Sequence, residues 1–191
     1  PRTRSTSQRN NRKCSKSIRK INGDLVKSYS EMLDNANYLP EIFEIVKKIV
    51  RDITGADRPG LMLGLSELGG QPGSFVGAFY PVSSNIIVIN KTPLKTVKSL
   101  RPELYNAYCF HLLLHEYLHS LGILDETKNR KVTAFISEKA FGKEHPVTVI
   151  AKDFNSVFPE IFYASIFWSP SNKTSIELIE NFDSESVSYI G

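Results

Sequence analysis

The feature that most constrains the fold is a strongly apolar stretch, residues 107–121, that contains the sequence H-E-x-x-H. Residues four apart lie on the same face of an α-helix, so His115 and His119 are predicted to direct their imidazoles toward one point. Two neutral imidazoles at this spacing suit a zinc ion. Glu116 lies about 100° further round the helix. It is within reach of a water on the metal, which is the position of a general base in a zinc hydrolase.

The helix that carries this motif is predicted to be central and buried on most of its sides, because almost all of its other residues are apolar. Pro102 and Glu103 suit the first turn of a helix, and Gly122 suits its C-terminal end. Burying two histidines and a glutamate in such a helix is costly unless they gain partners, and a bound metal provides them.

At these residues the chain resembles the zincin metallopeptidases. The longer pattern H-E-x-x-H-x-x-G-x-x-D, which begins at His115, is similar to that of the metzincin branch with an aspartate as the third ligand. The resemblance implies that His115 and His119 bind zinc and that Glu116 is the base. It also implies that Gly122 permits a sharp turn toward a third ligand at Asp125.

The chain departs from the metzincin pattern in one respect. Metzincins carry a methionine turn downstream of the motif, whereas the two methionines of this chain, Met32 and Met62, lie upstream. The resemblance therefore implies a small, divergent zincin. The expected fold class is α+β and zincin-like, with a small mixed sheet, a central active-site helix and packing helices.

Two residues compete for the third position on the metal. A turn at Gly122 can bring Asp125 back under His119, and Glu126 would then point away into the next helix. Asp125 is also a good helix cap, which is a competing role. The rival ligand is His145, which is similar to the late histidine ligand of the SprT-like proteases. A helix of about sixteen residues would place His145 about 24 Å from the turn, so Asp125 is preferred.

Hydrophobic periodicity predicts the elements before the motif. A helix is expected to start at Pro40 and to stop at Gly55. Three strand-like runs follow at 61–65, 75–80 and 86–90, and the last two are expected to form a hairpin or two neighbouring strands. Such strands support the active-site helix, and an edge strand among them could pair with an extended peptide.

Two further predictions concern the segments on either side of the motif helix. Residues 91–101 are predicted to be a polar connection. A helix is predicted after the motif and should end at Gly142, with Val132, Phe135 and Ile136 on its inward face.

Charge and composition divide the chain into three parts. Residues 1–20 hold eight Arg or Lys and no acid, whereas the remainder has 16 basic and 20 acidic residues. We predict that 1–20 is a disordered basic arm, 21–168 the catalytic domain and 169–191 a loosely ordered polar tail. The arm is either a solvated tail or a contact for nucleic acid. The first interpretation is preferred, because no aromatic residue is interleaved to stack on bases.

The sequence also bears on location. No apolar run approaches the ~18 residues that a membrane span requires, and the chain does not open with a signal sequence. Cys14 lies in the polar arm and Cys109 in the apolar helix, so neither is expected to belong to a disulfide framework. We therefore expect a cytoplasmic protein without a membrane span.

The predicted function is zinc-dependent hydrolysis of peptide bonds in a peptide or protein substrate. Zinc would lower the pKa of its water toward ~7, and Glu116 would pass the proton of that water to the leaving amine. One alternative is a zinc-dependent hydrolase that processes nucleic acid, which the basic arm keeps open although similar zinc proteins lack the glutamate. The other is a non-catalytic zincin-like protein that binds a partner through residues 147–168.

Overall fold

The structure is a computed structural model of the chain, and it describes residues 23–68, 76–164, 175–180, 182 and 183. Within these residues the architecture is α+β, as predicted, with eight α-helices, one 3₁₀ turn and a four-stranded mixed sheet. The helices are α1 (23–35), α2 (Leu39–Thr54), α3 (Lys91–Leu100), α4 (Tyr105–Ser120), α5 (Glu126–Phe141), α6 (Pro146–Lys152), α7 (Phe154–Val157) and α8 (Pro159–Ala164), with the 3₁₀ turn at Pro102–Leu104. The strands are β1 (Met62–Ser66), β2 (Ala78–Phe79), β3 (Ile86–Asn90) and β4 (Glu177–Ile179).

The sheet has the strand order β2-β3-β1-β4. The two central strands, β1 and β3, are parallel, with Met62 opposite Ile86. Strand β2 pairs antiparallel with β3, with Phe79 opposite Val88. The prediction of two neighbouring strands before the motif helix is therefore confirmed, and β2 is an edge strand.

The motif helix α4 lies at the centre of the molecule and packs against α2, α5 and α6. Its buried side chains come from all sides of the helix, as expected for a helix enclosed by other elements. They include Tyr108, Phe110, Leu113, Leu114 and Tyr117, each fully buried. The predicted helices at α2 and α5 are also confirmed, and α2 ends at Gly55 with a left-handed φ of 74°. The predicted inward face of α5 is only partly correct, because Ile136 is buried whereas Phe135 is exposed.

The prediction that residues 91–101 form a polar connection is wrong, because α3 occupies most of this stretch. The Asn90 side chain caps the helix by accepting a hydrogen bond from the Thr92 N–H at 3.2 Å. The apolar side chains of Leu94 and Val97 are buried on one face. Only one side of α3 is apolar, and this is why the segment reads as polar in sequence.

The aromatic stretch after His145 forms the three short helices α6, α7 and α8. Val147, Ile150, Phe158 and Ile161 are buried in the core, which supports a packing role for this stretch within its described residues. Its last residues, 165–168, lie outside the described part of the chain.

The structure differs from the predicted loosely ordered tail in one stretch. Strand β4 pairs antiparallel with β1, and two residues beyond it are buried. The ring of Phe182 stacks on Phe43 with centroids 4.2 Å apart. Asp183 accepts a hydrogen bond from the Leu61 N–H at 2.9 Å and forms a buried ion pair with Lys47. The partners are more than a hundred residues away in sequence, so local composition does not reveal this docking.

The basic arm predicted at 1–20 lies outside the described residues. Among the helices that are described, none combines the length and the apolar character needed to cross a membrane. Cys109 is a buried free thiol, in keeping with its predicted place in the apolar helix.

Candidate metal and catalytic site

The two histidines of the motif lie one turn apart on the same face of α4. Their Nε2 atoms are 3.1 Å apart, and the side chains of His115 and His119 are 16% and 12% exposed. Burial lowers the pKa of His115 to about 4; Glu126 opposes this shift and His119 adds to it. His115 is therefore neutral at pH 7, which is the form that binds a metal.

The third side chain at this point is Glu126, the first residue of α5. Gly122 adopts a left-handed φ of 94°, and the Ile123 N–H donates back into the last turn of α4 at 3.1 Å. The chain therefore reverses, and the Glu126 carboxylate oxygens lie 3.1 Å from His119 Nε2 and 3.3 Å from His115 Nε2. One ligand atom from each of the three residues lies within 4.8 Å of the other two.

The structure differs here from the sequence prediction, in which Asp125 was the preferred ligand and Glu126 pointed away. Asp125 is the N-cap of α5, and its Oδ1 accepts a hydrogen bond from the Lys128 N–H at 2.7 Å. This cap directs the Asp125 carboxylate toward its own helix. The longer side chain of Glu126, one residue further on, reaches back to the histidines.

His145, the predicted rival ligand, does not join this group either. Its Nδ1 accepts a hydrogen bond from the Val147 N–H at 3.2 Å, so that it caps α6. Its ring stacks on Phe141 with centroids 4.6 Å apart. Helix α5 separates His145 from the turn that carries Glu126, as the helix-length argument predicted.

Hydrogen bonds behind the cluster hold its members in place. His119 Nδ1 lies 2.8 Å from the Ile123 carbonyl oxygen. A donating Nδ1–H at this position leaves the Nε2 lone pair directed at the cluster. Asn129 is fully buried, and its side-chain amide donates to the His115 carbonyl oxygen at 3.0 Å. This bond ties α5 to α4, and the Thr133 hydroxyl holds the amide in place by donating to Asn129 Oδ1 at 3.0 Å within α5.

Glu116, the predicted base, is only 5% exposed and lines the same cavity as the cluster. Its pKa is raised to about 8, first because burial disfavours the charged carboxylate and second because Glu126 is a like charge nearby. The Tyr80 backbone N–H donates to the Glu116 carboxylate and opposes this shift. A carboxyl group tuned in this way can take up and release a proton near neutral pH.

The cluster opens into a cavity of about 880 Å³, within the range of about 300–1,000 Å³ that ligand sites occupy. Strand β2 and its flanking residues form one wall, α4 and the start of α5 form the second, and α6 and α7 form the third. Val76, Val82 and Leu124 contribute exposed apolar side chains to the lining. The cavity is therefore large enough for a chain segment rather than a single ion.

His111 lies one turn before His115 and also lines the cavity. Burial lowers its pKa to about 3, and its ring lies 6.4 Å from that of His115 and 5.8 Å from that of Phe154, centroid to centroid. Its Nδ1 is enclosed and has no hydrogen-bond partner among the described residues. His111 therefore acts as a neutral part of the cavity wall, outside the metal cluster.

We predict that His111→Leu binds zinc within about twofold of the wild-type affinity and is more stable in the zinc-free state by about 1 kcal/mol, because an unsatisfied buried nitrogen is removed. Chelator competition measures the zinc affinity, and urea unfolding measures the stability. A tenfold loss of zinc affinity would instead place His111 among the partners of the metal.

Several residues of the site were not found from the sequence. The sequence prediction directs Glu126 away from the metal, although an acid in the first helical turn after Gly122 is a visible signal. Asn129 and Thr133 have the i,i+4 spacing of residues on one inward face of a helix, and both are buried. Phe135, which was predicted to point inward, is 54% exposed. Tyr80 carries no local signal, because its backbone N–H is what contacts Glu116.

No protein-family model matches the chain, and no curated protein and no solved structure matches it. Its function therefore has to be inferred from the chemistry of its own site.

Proposed function

We propose that the protein is a zinc-dependent peptidase with a divergent zincin-like site. The observation that supports this most directly is the convergence of His115, His119 and Glu126 on one point in a cavity that Glu116 also lines. This combination assembles a metal-binding group and a buried carboxyl of perturbed pKa in one place. Both are typical features of a metallohydrolase site.

The residues present fit a zinc ion. Two imidazole nitrogens and one carboxylate oxygen are donors that zinc accepts, and three protein ligands are typical of catalytic rather than structural zinc sites. When bound, zinc supplies Lewis acidity, which polarises a carbonyl group and makes water more acidic. His115, His119 and Glu126 would hold it, with the Ile123 carbonyl oxygen orienting His119.

Glu116 would provide the proton transfer. Its carboxylate oxygen takes a proton from the attacking water and gives it to the leaving amine. The pKa of Glu116 is raised to about 8 in the zinc-free protein, and a bound zinc ion nearby would favour the ionised carboxylate that accepts the proton. The Tyr80 N–H holds the carboxylate in position while the enclosed site limits competing contacts with solvent.

A peptide is the substrate that the walls of the cavity favour. Strand β2 is at one end of the strand order, and residues 76–80, which contain it, line the cavity beside the cluster. An extended peptide can add to such an edge through backbone hydrogen bonds. The exposed apolar side chains of Val76, Val82 and Leu124 would then contact the side chains of the peptide.

The charges around the cavity argue against a nucleic-acid substrate. The lining contains Glu116, Glu126 and Asp153 as well as Arg130 and Lys152. Binding of a phosphate backbone requires a surface of predominantly positive charge. The alternative of a non-catalytic binding protein shares the metal cluster, and a test of hydrolysis distinguishes it.

The proposal predicts that the zinc-reconstituted protein cleaves members of a mixed fluorogenic peptide library. Dialysis against a zinc chelator should remove the activity, and one equivalent of zinc should restore it, because His115, His119 and Glu126 form one site. Peptide fluorescence and mass spectrometry of the products measure the cleavage. Absence of cleavage by the zinc-loaded protein, or cleavage that survives chelation, would contradict the proposal.

A further inference from the structure

The loop after α2 crosses over the C-terminal end of the motif helix and carries Arg58. We propose that Arg58 is a positioning residue for Glu116, which it holds through Tyr80. This inference rests on the proposed function for its catalytic consequence, although the brace itself can be tested without any substrate. We call Arg58, Tyr80, Ser84 and Ser120 the arginine brace.

The guanidinium group of Arg58 makes three hydrogen bonds to two different segments. Its Nη1 donates to the Tyr80 hydroxyl at 2.8 Å and to the Ser120 carbonyl oxygen at 2.5 Å. Its Nη2 donates to the Ser84 carbonyl oxygen at 2.7 Å. The guanidinium also lies over the Tyr80 ring, 5.3 Å from its centroid. One side chain therefore joins the end of α4 to the segment between β2 and β3.

The backbone around Arg58 is itself tied to α4. The Arg58 N–H donates to the Tyr117 hydroxyl at 2.8 Å, and that hydroxyl lies 3.1 Å from Asp57 Oδ1. Tyr117 is fully buried in the core. The loop is therefore fixed to the helix residue next to Glu116 in sequence, and the guanidinium extends from a stable base.

Tyr80 links the brace to the proposed base. Its hydroxyl donates to the Ser84 carbonyl oxygen at 2.7 Å and accepts from Arg58, so the hydroxyl end of the side chain is held by two hydrogen bonds. Its backbone N–H donates to the Glu116 carboxylate. Tyr80 contacts the carboxylate through this backbone N–H. The position of the N–H therefore depends on the contacts that fix the tyrosine.

The brace acts at the point where two elements must keep a constant separation. Glu116 is on α4, and Tyr80 directly follows the short strand β2. Ser120 is the last residue of α4, where carbonyl groups lack helical partners and a cation is favoured by the helix dipole. Because Arg58 binds both Ser120 and Tyr80, it fixes the distance between the Tyr80 N–H and the Glu116 carboxylate.

A lysine could not replace this arrangement. The guanidinium presents several N–H groups in a rigid plane, whereas an ammonium is a single point on a flexible stem. Three acceptors on two segments therefore need the arginine. We expect Arg58→Lys to behave like Arg58→Gln rather than like the wild type.

The test compares Arg58→Gln and Arg58→Lys with the matched control Arg51→Gln. Arg51 lies in the last turn of α2 and is 3.7 Å from Asp57, so the control removes a guanidinium from the same neighbourhood without touching Tyr80. The measurements are amide hydrogen exchange at Tyr80, zinc affinity by chelator competition, and kcat and KM on a cleaved peptide from the library.

Both Arg58 variants are expected to show exchange at Tyr80 faster by about tenfold or more. Their kcat should fall by about tenfold to a hundredfold, with KM and zinc affinity within about twofold of wild type, because the base is misplaced while ligands and substrate contacts remain. Arg51→Gln should leave all four quantities unchanged. Should the Arg58 variants not fold, Tyr80→Phe removes only the hydroxyl and is expected to shift exchange and kcat in the same direction.

Folded Arg58 variants, or folded Tyr80→Phe, with wild-type exchange at Tyr80 and wild-type kcat would overturn the inference. Equal losses in Arg51→Gln and Arg58→Gln would also overturn it, because they would reflect local stability alone. If the wild type cleaves no peptide, the proposed function fails, whereas the exchange measurement still decides whether the brace holds Tyr80.

Discussion

Replacing Glu116 by Gln is expected to leave zinc bound and to lower peptide turnover by about 10²–10⁴-fold, the usual cost of losing a general base. The glutamine has nearly the same shape and can still accept a hydrogen bond from the Tyr80 N–H. It cannot take a proton from water. Turnover on a cleaved library peptide and zinc content per chain measure the two halves of this prediction.

The matched control is Glu144→Gln, which removes the same charge from an exposed position outside the residues that line the cavity. Its turnover should equal that of the wild type. A Glu116→Gln protein that keeps its zinc and its full turnover would contradict the assigned role. Loss of zinc in Glu116→Gln would show instead that this residue belongs to the metal site.

Glu116→Gln is also expected to change how the stability of the zinc-free protein depends on pH. The pKa of Glu116 is raised from 4.5 to about 8 in the folded state, so the folded state holds a proton that the unfolded chain releases between these values. Stability from this group is therefore present below about pH 4.5 and lost as the pH rises toward about 8. Urea unfolding across this window should show a smaller decline in the zinc-free Glu116→Gln variant than in the zinc-free wild type.

Replacing Glu126 by Ala is expected to weaken zinc binding by more than about 100-fold, because losing a ligand costs more than losing an outer partner of a ligand, which costs about 10–100-fold. Glu126 supplies the only carboxylate in the group of ligand atoms within 4.8 Å found among the described residues. Chelator competition at constant pH measures the affinity, and peptide turnover should fall with it.

The matched control for this prediction is Asp125→Ala, one residue earlier. It should keep its zinc affinity and lose about 1 kcal/mol of stability, since Asp125 caps α5 through the Lys128 N–H. His145→Ala should likewise keep its zinc, because His145 caps α6. If Asp125→Ala loses zinc and Glu126→Ala does not, the metzincin-like ligand set predicted from the sequence is correct.

The parts of the site that local spacing determines could be predicted from the sequence. The i,i+4 spacing of His115 and His119 holds on any α-helix, and the apolar residues around them require that helix to be buried. Gly122 permits the turn at the end of the helix for the same local reason. In each case the relevant geometry lies within a few residues of the motif.

The choice between Asp125 and Glu126 could not be predicted, because both lie within reach of the turn. It depends on which of the two carboxylates caps α5, and the capping geometry favours the residue before the helix. The adjacent residue is then left to reach the histidines with its longer side chain. The prediction from motif spacing preferred Asp125, because spacing carries no information about which carboxylate caps α5.

Contacts between distant segments were also beyond the sequence. Arg58 meets Tyr80, and Tyr80 meets Glu116, through separations of more than twenty residues. Asp183 docks beside Leu61 in the same way. Such contacts follow from tertiary packing, and neither composition nor periodicity near these residues indicates their partners.

The measurement that tests the central claim most directly is diffraction at the zinc absorption edge from crystals of the zinc-loaded protein. We predict one anomalous peak, with His115 Nε2, His119 Nε2 and a Glu126 carboxylate oxygen at about 2.0–2.2 Å. Asp125 should remain on the Lys128 N–H. The absence of a peak at these three residues, or a peak held by Asp125 or His145 without Glu126, would contradict the account.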